Sequence, residues 1–271
     1  MTSPDRPVVL LTGATGGLGT AVAAALAADG ARLALTARTA QALADLADEI
    51  RAAGAEALPL PADITDPRAA GAVARRTVDA FGRIDVLIDN AGVEGPIGPF
   101  WDLPLDDWWE TVRVNVMSGA AAAHAVLPFM IGQGGGRVVS ISSAAGRSRW
   151  PTLSAYSVSK AAGITLMENI AHEARDHGVS TFSLHPGIVP IGLTTAAVTD
   201  DAPATPWHAR RRDWLLRQLG EGRGTPVERA VRAVTALAAG TADHLSGRYL
   251  TVDDVLGTPE RAENGPDLAP R

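Results

Sequence analysis

The sequence contains no cysteine, which excludes disulfide bonds and thiolate chemistry for all 271 residues. Aromatic residues are scarce at 4%, and only two of them are tyrosines. Positive charge is not in excess either, because the formal net charge is −6 at pH 7. A surface that binds nucleic acid normally needs a basic balance, so no nucleic-acid partner is expected.

Long apolar runs are also missing. No run reaches the roughly 18 residues of a membrane span without polar interruption. Residues Met1–Pro7 lack the charged and apolar regions of a signal peptide. We therefore expect no membrane span and no membrane partner, and we predict a cytoplasmic location. The composition, 46% hydrophobic and 20% charged, is typical of a globular protein, and we predict a single domain over residues 1–257.

Lysine is almost absent: Lys160 is the only one, although lysine and arginine together number 24. It follows Tyr156 by four residues, so on a helix both side chains would project from one face. An ammonium there favours the phenolate form of tyrosine, which can exchange a proton with an alcohol oxygen. A single lysine in an arginine-rich chain indicates a position that a guanidinium cannot fill. The alternative is a surface tyrosine beside a solvated lysine.

A serine precedes this pair. Ser143 ends an apolar run at 138–141 and lies thirteen residues before Tyr156. A strand, a loop and a helix over this distance would return the Ser143 hydroxyl to the phenol. It could then hold the same substrate oxygen as Tyr156.

Apolar runs and helical patterns alternate along the chain, which predicts an α/β fold. We predict strands at Val8–Thr12, Arg32–Ala37, Ala55–Ala62, Val86–Ile88, Arg137–Ile141, Val179–Leu184 and Arg248–Val252. The longer predicted helices are Thr20–Asp29, Pro67–Phe81, Asp106–Met130, Ala155–Arg175 and Pro226–Ala239. The strands are apolar on both faces, which is typical of a parallel sheet covered by helices on both sides.

Two stretches break this alternation. Ile188–Thr225 is long and weakly patterned, so we predict a substrate loop or lid over residues 188–225. Its three consecutive arginines, Arg210–Arg212, favour a solvated helix face over an anion site. Thr258–Arg271 is polar with two prolines, and we predict a flexible tail.

A glycine-rich turn, Gly13–Gly19, lies at the first strand–helix junction. Glycines there allow the backbone to approach a pyrophosphate at the helix N-terminus, although a tight turn alone would also explain them. Ligands of such sheets bind at the carboxyl ends of the strands. Several motifs fall at predicted strand ends, namely Gly13–Gly19, Ala37–Arg38, Asp63, Asn90–Gly92, Ser143 and Pro186–Gly187.

These motifs together resemble the short-chain dehydrogenase/reductase family over about residues 7–255. The resemblance rests on TGATGGLG at Thr12–Gly19, Asp63, DNAG at Asp89–Gly92, Asn115, Ser142–Ser143, YSVSK at Tyr156–Lys160 and Pro186–Gly187. It implies a single-domain, Rossmann-type, doubly wound parallel sheet of about seven strands. It also implies hydride transfer between NAD(P)H and a carbonyl or secondary alcohol, with a small-molecule substrate and no metal.

The resemblance assigns roles to individual residues. Tyr156 would be the general acid/base, and Lys160 would support it and hold the nicotinamide ribose. Ser143 would position the substrate oxygen, and Asn115 would hold a water in a proton relay. Asn115 taken alone is equally well explained as a buried polar residue in a helix. Asp63 would bind the adenine amino group.

Larger sets are implied for the ligands. The cofactor set is Gly13, Thr15, Gly16, Gly17, Leu18, Gly19, Arg38, Thr39, Ala62, Asp63, Ile64, Asn90, Ala91, Gly92, Tyr156, Lys160, Pro186, Gly187 and Val189. The substrate set is Glu94, Ser143, Trp150, Tyr156 and Ile188.

Three positions depart from the family pattern. Ile191 replaces a threonine that usually binds the nicotinamide carboxamide, so backbone groups of Ile188–Ile191 are the alternative. Asp89 replaces an asparagine, a mild change, and Val252–Asp254 replaces Val-Asp-Gly at the end of the last predicted strand.

The cofactor preference follows from the end of the second strand. An acidic residue there selects NAD, but this sequence has Ala37 followed by Arg38 and Thr39. Arg38 could pair with a 2′-phosphate, so we predict NADP(H) and keep NAD(H) as possible.

Family members usually form homodimers or homotetramers through the helices that carry Asn115 and Tyr156. The small residues Gly119–Ala125 would permit close helix contact. The rival hypothesis is a dinucleotide-binding regulatory protein without turnover. The complete set Asn115, Ser143, Tyr156 and Lys160 argues against it.

Overall fold

The computed structural model describes residues 6–199 and 205–257. The strands are β1 (Val8–Thr12), β2 (Arg32–Thr36), β3 (Ala57–Pro59), β4 (Val86–Asp89), β5 (Gly136–Ile141), β6 (Val179–His185) and β7 (Arg248–Thr251). The helices are α1 (Gly17–Ala28), α2 (Ala40–Ala52), α3 (Pro67–Phe81), α4 (Leu105–Gly132), α5 (Ser154–Glu173), α6 (Leu193–Val198), α7 (Pro206–Gly220), α8 (Val227–Ala239) and α9 (Val252–Leu256).

The strands form one parallel sheet of seven in the order β3-β2-β1-β4-β5-β6-β7. The chain winds outward from β1 to β3, then returns to place β4 on the other side of β1. This reversal opens a crevice at the carboxyl ends of β1 and β4, where ligands of open α/β sheets bind. The prediction of a Rossmann-type parallel sheet is therefore confirmed.

Each face of the sheet carries its own core. On one face, α1, α2 and α8 pack residues such as Val22, Leu43 and Val234 against the strands. On the other face, α3, α4 and α5 do the same with residues such as Val73 and Val126. Strands buried on both faces explain why their sequences are apolar throughout rather than alternating.

Helix α4 has the length and composition that would allow a membrane crossing. In this structure it lies on the sheet, and Ala121, Ala122 and Ala123 are buried in the second core. Helices in the core of globular domains have the same composition, so the position of α4 on the sheet accounts for its apolar character. Most of the small residues that we expected at a subunit contact are therefore used inside the chain.

The stretch predicted as a loop or lid differs most from expectation, because it contains the helices α6 and α7. Thr205 caps α7 by accepting hydrogen bonds from the backbone N–H of Trp207 at 3.2 Å and of His208 at 3.4 Å. Pro206 follows at the first helical position. A threonine cap and a proline at that position are a helix start signal that outweighs weak apolar periodicity.

Smaller differences concern element ends. The third strand is Ala57–Pro59 rather than Ala55–Ala62. Val252 begins α9 instead of ending β7, because Thr251 and Asp254 form a reciprocal capping box. The aspartate that replaces the family's glycine is thus a helix-capping residue. The predicted tail, residues 258–271, lies outside the described residues.

Candidate active site

The glycine turn after β1 has almost no room for side chains. Gly13 adopts a left-handed φ of +60°, and a Cβ there would lie 2.9 Å from the Cα of Ala91. A Cβ at Gly17 would lie 2.5 Å from the backbone N of Gly192, and one at Gly19 would lie 2.3 Å from the Gly13 carbonyl oxygen. Gly16 precedes α1 without a side-chain cap, so the first N–H groups of the helix are available to an anion.

Asn90 and Thr12 join the ends of β1 and β4. The Asn90 amide donates to the Gly13 carbonyl oxygen at 3.0 Å. The Thr12 hydroxyl accepts from the backbone N–H of Asn90 at 3.0 Å and of Ala91 at 3.1 Å. The glycine turn is therefore fixed directly to the strand end that carries the DNAG motif.

Asp89 is buried at this junction. Its carboxylate accepts hydrogen bonds from the hydroxyls of Thr12 at 3.2 Å and Ser140 at 3.1 Å. Gly119 of α4 packs so closely that a Cβ there would lie 2.6 Å from Asp89 Oδ2. Burial raises the pKa of Asp89, and the charge of Lys160 opposes this rise only in part. The replacement of asparagine by Asp89 therefore puts a poorly solvated acid beside the site.

Replacing Asp89 by asparagine should stabilise the protein at neutral pH. A raised pKa means that the folded state holds this proton more tightly, so stability falls as pH rises above the unfolded carboxyl pKa of about 4. Asp89→Asn removes that cost, and each kcal/mol gained should raise Tm by about 2–4 °C. Thermal unfolding followed between pH 4 and 8 should show a difference from wild type that grows with pH. A constant difference, or a less stable variant at pH 8, would contradict this expectation.

The residues of the predicted catalytic set come together at the ends of β5 and α5. Lys160 donates to the Ile141 carbonyl oxygen at 2.8 Å, and its Nζ lies 5.6 Å from the centre of the Tyr156 ring. Ser143 starts the turn after β5, and its hydroxyl accepts from the Ala145 N–H at 3.2 Å. The Ile141 carbonyl oxygen, at the end of β5, therefore holds the Lys160 amino group near the Tyr156 ring.

Asn115 holds the loop after β4 rather than facing the cavity. Its side chain accepts from the Val93 N–H at 2.8 Å and donates to the Val93 carbonyl oxygen at 2.9 Å. It also donates to the Ser159 hydroxyl at 2.9 Å, and Ser159 donates to the Tyr156 carbonyl oxygen at 2.7 Å. Ser159 was not singled out from the sequence, although it lies inside the YSVSK motif.

A cavity of about 630 Å³ runs along the carboxyl ends of the strands. All predicted cofactor residues except Gly19 line it, and so do all five predicted substrate residues. Gly19 instead packs α1 against the glycine turn. Of the predicted catalytic set, Ser143, Tyr156 and Lys160 line the cavity, and Asn115 stands behind them.

Asp63 and Arg38 lie at one end of the cavity. The Asp63 carboxylate accepts from the Thr65 hydroxyl at 2.8 Å and from the Thr65 N–H at 3.0 Å, and these bonds lower its pKa. The charges of Arg113 and Arg38 lower it further. Arg38 is exposed and lines the cavity, with no carboxylate at Ala37 before it.

The other end of the cavity is aromatic and contains an ion pair that is largely but not fully buried. Arg211 of α7 binds Glu94, with Nη2 at 2.5 Å from Glu94 Oε1. The expectation of a solvated face at Arg210–Arg212 is wrong for Arg211, although Arg210 is exposed. The missed signal is helical spacing, because Arg211, Trp214 and Leu215 share one face of α7 and all line the cavity.

The segment after Gly187 closes over the glycine turn. Gly187 has a φ of +79°, and a Cβ there would lie 1.9 Å from the Thr225 hydroxyl oxygen. Ile191 lines the cavity, but its N–H donates to the Val189 carbonyl oxygen at 2.8 Å, and Pro190 has no N–H. Of the backbone donors considered for the carboxamide, the N–H groups of Ile188 and Val189 therefore remain.

Comparison with known proteins places the chain in a family. A family model described as short chain dehydrogenase matches residues 7–202. A short chain dehydrogenase of Pseudocercospora fijiensis is 40% identical over 182 residues, which is 66% of this chain and 59% of that protein. A 2-dehydro-3-deoxy-L-rhamnonate dehydrogenase (NAD(+)) of Sphingomonas sp. is 31% identical over 85% of this chain and 87% of its own length.

Solved structures support the same family assignment. An NAD⁺-bound xylitol dehydrogenase superposes with a TM-score of 0.82 at 27% identity, covering 92% of this chain and 98% of that one. A 7α-hydroxysteroid dehydrogenase in complex with NADH and 7-oxo glycochenodeoxycholic acid gives a TM-score of 0.80 at 28% identity, covering 92% of this chain and 94% of that one. The chain belongs to the short-chain dehydrogenase/reductase family, whose members are oxidoreductases acting on alcohols or ketones. The prediction of family and enzyme class is confirmed.

Proposed function

We propose that this protein is an NADP(H)-dependent oxidoreductase that interconverts a carbonyl compound and a secondary alcohol. The observation that carries the proposal is that Ser143, Tyr156 and Lys160 line the same cavity as the glycine turn. A nucleotide-binding turn and a proton-transfer pair in one cavity suit a reaction that moves a hydride and a proton together.

The cavity fits a dinucleotide. The turn contains glycines at which there is no space for a Cβ, as expected where the backbone must approach a pyrophosphate closely. Asp63 and Ile64 would hold the adenine, Arg38 and Thr39 its ribose phosphate, and Lys160 the nicotinamide ribose. The remaining residues of the predicted cofactor set would line the cavity between the adenine and the nicotinamide ribose. Gly19 would shape the glycine turn. When bound, the nicotinamide supplies the hydride for reduction or accepts it in oxidation.

Tyr156 would move the proton. In reduction its hydroxyl donates to the substrate carbonyl oxygen, and in oxidation its phenolate accepts the alcohol proton. The Ser143 hydroxyl would donate to the same oxygen and fix its position. The Ile141 carbonyl oxygen accepts a hydrogen bond from the Lys160 ammonium, whose Nζ lies 5.6 Å from the centre of the Tyr156 ring. Asn115 would hold a water in a proton relay behind Lys160. Its hydrogen bonds to Val93 and Ser159 hold the adjacent backbone.

We propose NADP(H) as the preferred cofactor because Arg38 can pair with a 2′-phosphate and Ala37 offers no repelling carboxylate. Relatives are named for NAD⁺ or bind NAD⁺ and NADH, so a site open to both cofactors is the second candidate. A homodimer or homotetramer through α4 and α5, a single domain over residues 1–257 and a cytoplasmic location stay predictions. The exposed side chains of Leu105, Trp109 and Val158 on these two helices support a subunit contact.

The proposal is tested by a panel of ketones and aldehydes with NADPH and with NADH, following the loss of reduced-cofactor absorbance. We expect turnover, with a higher kcat/KM for NADPH than for NADH. Tight dinucleotide binding without turnover of any carbonyl or alcohol would instead support the regulatory-protein hypothesis.

A further inference from the structure

Ser159 has no role in the proposed chemistry, although it lies on α5 between Tyr156 and Lys160. Only 1% of its surface is exposed. Its hydroxyl donates to the Tyr156 carbonyl oxygen at 2.7 Å and accepts from Asn115 Nδ2 of α4 at 2.9 Å. A serine in a helix commonly bonds to a carbonyl one turn earlier, so the first bond alone would be ordinary. The second bond comes from another helix and needs a separate explanation.

The oxygen and both N–H groups of the Asn115 side chain have partners. Oδ1 accepts from the Val93 N–H at 2.8 Å, and Nδ2 donates to the Val93 carbonyl oxygen at 2.9 Å and to Ser159. Because a backbone N–H can only donate, the amide oxygen must face it and the amide nitrogen must face Ser159. The Ser159 hydroxyl therefore accepts from Asn115 and directs its own proton to the Tyr156 carbonyl oxygen.

These hydrogen bonds connect the loop after β4 to α5 by way of α4. We call the series Val93, Asn115, Ser159 and the Tyr156 backbone the Asn115–Ser159 bridge. Val93 and Tyr156, at its two ends, line the cavity, whereas Asn115 and Ser159 stand behind the cavity wall. The bridge therefore joins two walls of the candidate active site without occupying space between them.

The bridge restrains the position of Tyr156 relative to the loop after β4. Hydrogen bonds weaken steeply when they are misaligned, so a series of them restrains rotation as well as distance. The bridge also passes close to Lys160, because a Cβ at Gly92 would lie 3.2 Å from Asn115 Oδ1 and 3.8 Å from Lys160 Nζ. Proton transfer needs this restraint, since a misplacement of about 1 Å can lower a rate about 10²-fold.

We propose that Ser159 is a positioning residue for Tyr156. It connects the backbone of the general acid/base to Asn115 and, through Asn115, to the loop after β4. It thereby fixes where the phenol lies relative to a bound substrate. The inference rests on the proposed role of Tyr156 in proton transfer, and it gives Asn115 a positioning function that does not depend on a relay water.

Ser159→Ala is expected to lower kcat by about 10- to 100-fold, up to the loss that a misplacement of about 1 Å causes. NADPH binding should change little, because the glycine turn, Arg38 and Asp63 lie on other elements. Ser159→Thr keeps a hydroxyl that can reach the same carbonyl oxygen, so it should retain most of the wild-type kcat. Steady-state rates and NADPH titration measure these quantities. An unchanged kcat in Ser159→Ala, or an equal loss in Ser159→Thr, would count against the inference.

A double-mutant cycle tests whether Ser159 acts through Asn115. Asn115→Ala should lower kcat by itself, and the addition of Ser159→Ala should then cause little further loss, because both changes break the same bridge. Two independent residues would instead multiply their separate losses. That result would overturn the proposed connection.

Thr77 provides a matched control for the loss of a buried helix hydroxyl. It is fully buried on α3, its hydroxyl donates to the Val73 carbonyl oxygen at 2.8 Å, and it does not line the cavity. Thr77→Val removes this bond at nearly constant volume, and should lower Tm without lowering kcat. If Ser159→Ala likewise had a lower Tm and a wild-type kcat, Ser159 would be purely structural and the inference would be wrong.

Hydrogen exchange tests the bridge without turnover. The Val93 N–H is held by Asn115, so Ser159→Ala should make it exchange several-fold faster, and Thr77→Val should not. Unchanged exchange at Val93 would overturn the inference whatever the rates show. Faster exchange at Val93, in a protein that reduces no ketone even as wild type, would support the bridge and refute the proposed function.

Discussion

Tyr156→Phe is expected to lower kcat by at least two orders of magnitude while NADPH binding stays near the wild-type level. The change removes one hydroxyl, and with it the proton donor for the substrate oxygen, whose contribution is about 10²–10⁴-fold. The ring remains, so its packing against the apolar cluster at the substrate end should be retained. Steady-state rates and NADPH titration of the same preparation measure both quantities.

The other tyrosine provides a matched control. Tyr249 lies on β7, stacks on His185 with ring centres 6.4 Å apart, and does not line the cavity. Tyr249→Phe should therefore turn over within a few-fold of wild type. Near-normal rates in Tyr156→Phe would rule out the role that we assign to this phenol.

Arg38→Ala is expected to weaken NADPH binding by about 10- to 100-fold and to change NADH binding little. A guanidinium paired with a phosphate through two hydrogen bonds contributes roughly 1.5–3 kcal/mol, and NADH has no phosphate at this position. Titration with both reduced cofactors gives the two dissociation constants directly.

A converse variant and a control sharpen this test. Ala37→Asp introduces the missing carboxylate, which should repel the 2′-phosphate and shift the preference to NADH. Arg76→Ala removes an exposed arginine of α3 that does not line the cavity, and both affinities should persist. A wild-type protein that prefers NADH would refute the assignment of Arg38.

The sequence was sufficient for the sheet and for most of the cavity. The strands are buried on both faces, so their apolar runs were visible without any knowledge of their neighbours. The cofactor motifs are local, because a turn such as Gly13–Gly19 depends on residues adjacent in the chain. Parallel strands bring all such turns to one edge, which is why predicted residues from six segments line one cavity.

What could not be predicted depends on contacts between distant residues. The partner of Arg211 is Glu94, 117 positions away, and nothing near Arg211 in the chain indicates that its charge is paired and largely shielded from solvent. The importance of Asp89 comes from its burial against α4, which a single substitution in a motif does not reveal. Beyond a helix face at Arg210–Arg212, the extent of helix α7 was not predicted, because its hydrophobic face is aromatic and interrupted by arginines and its pattern was therefore weak.

The single lysine has a practical consequence for chemical labelling. Its amino group lies on the wall of the cavity, and no other side chain in the sequence carries a primary amine. An amine-specific reagent therefore has one side-chain target, in addition to the α-amino group. The extent of modification at Lys160, read by mass spectrometry, would report whether a ligand covers that part of the cavity. Occupancy could then be followed in mixtures where absorbance assays fail, without any engineered tag or reporter.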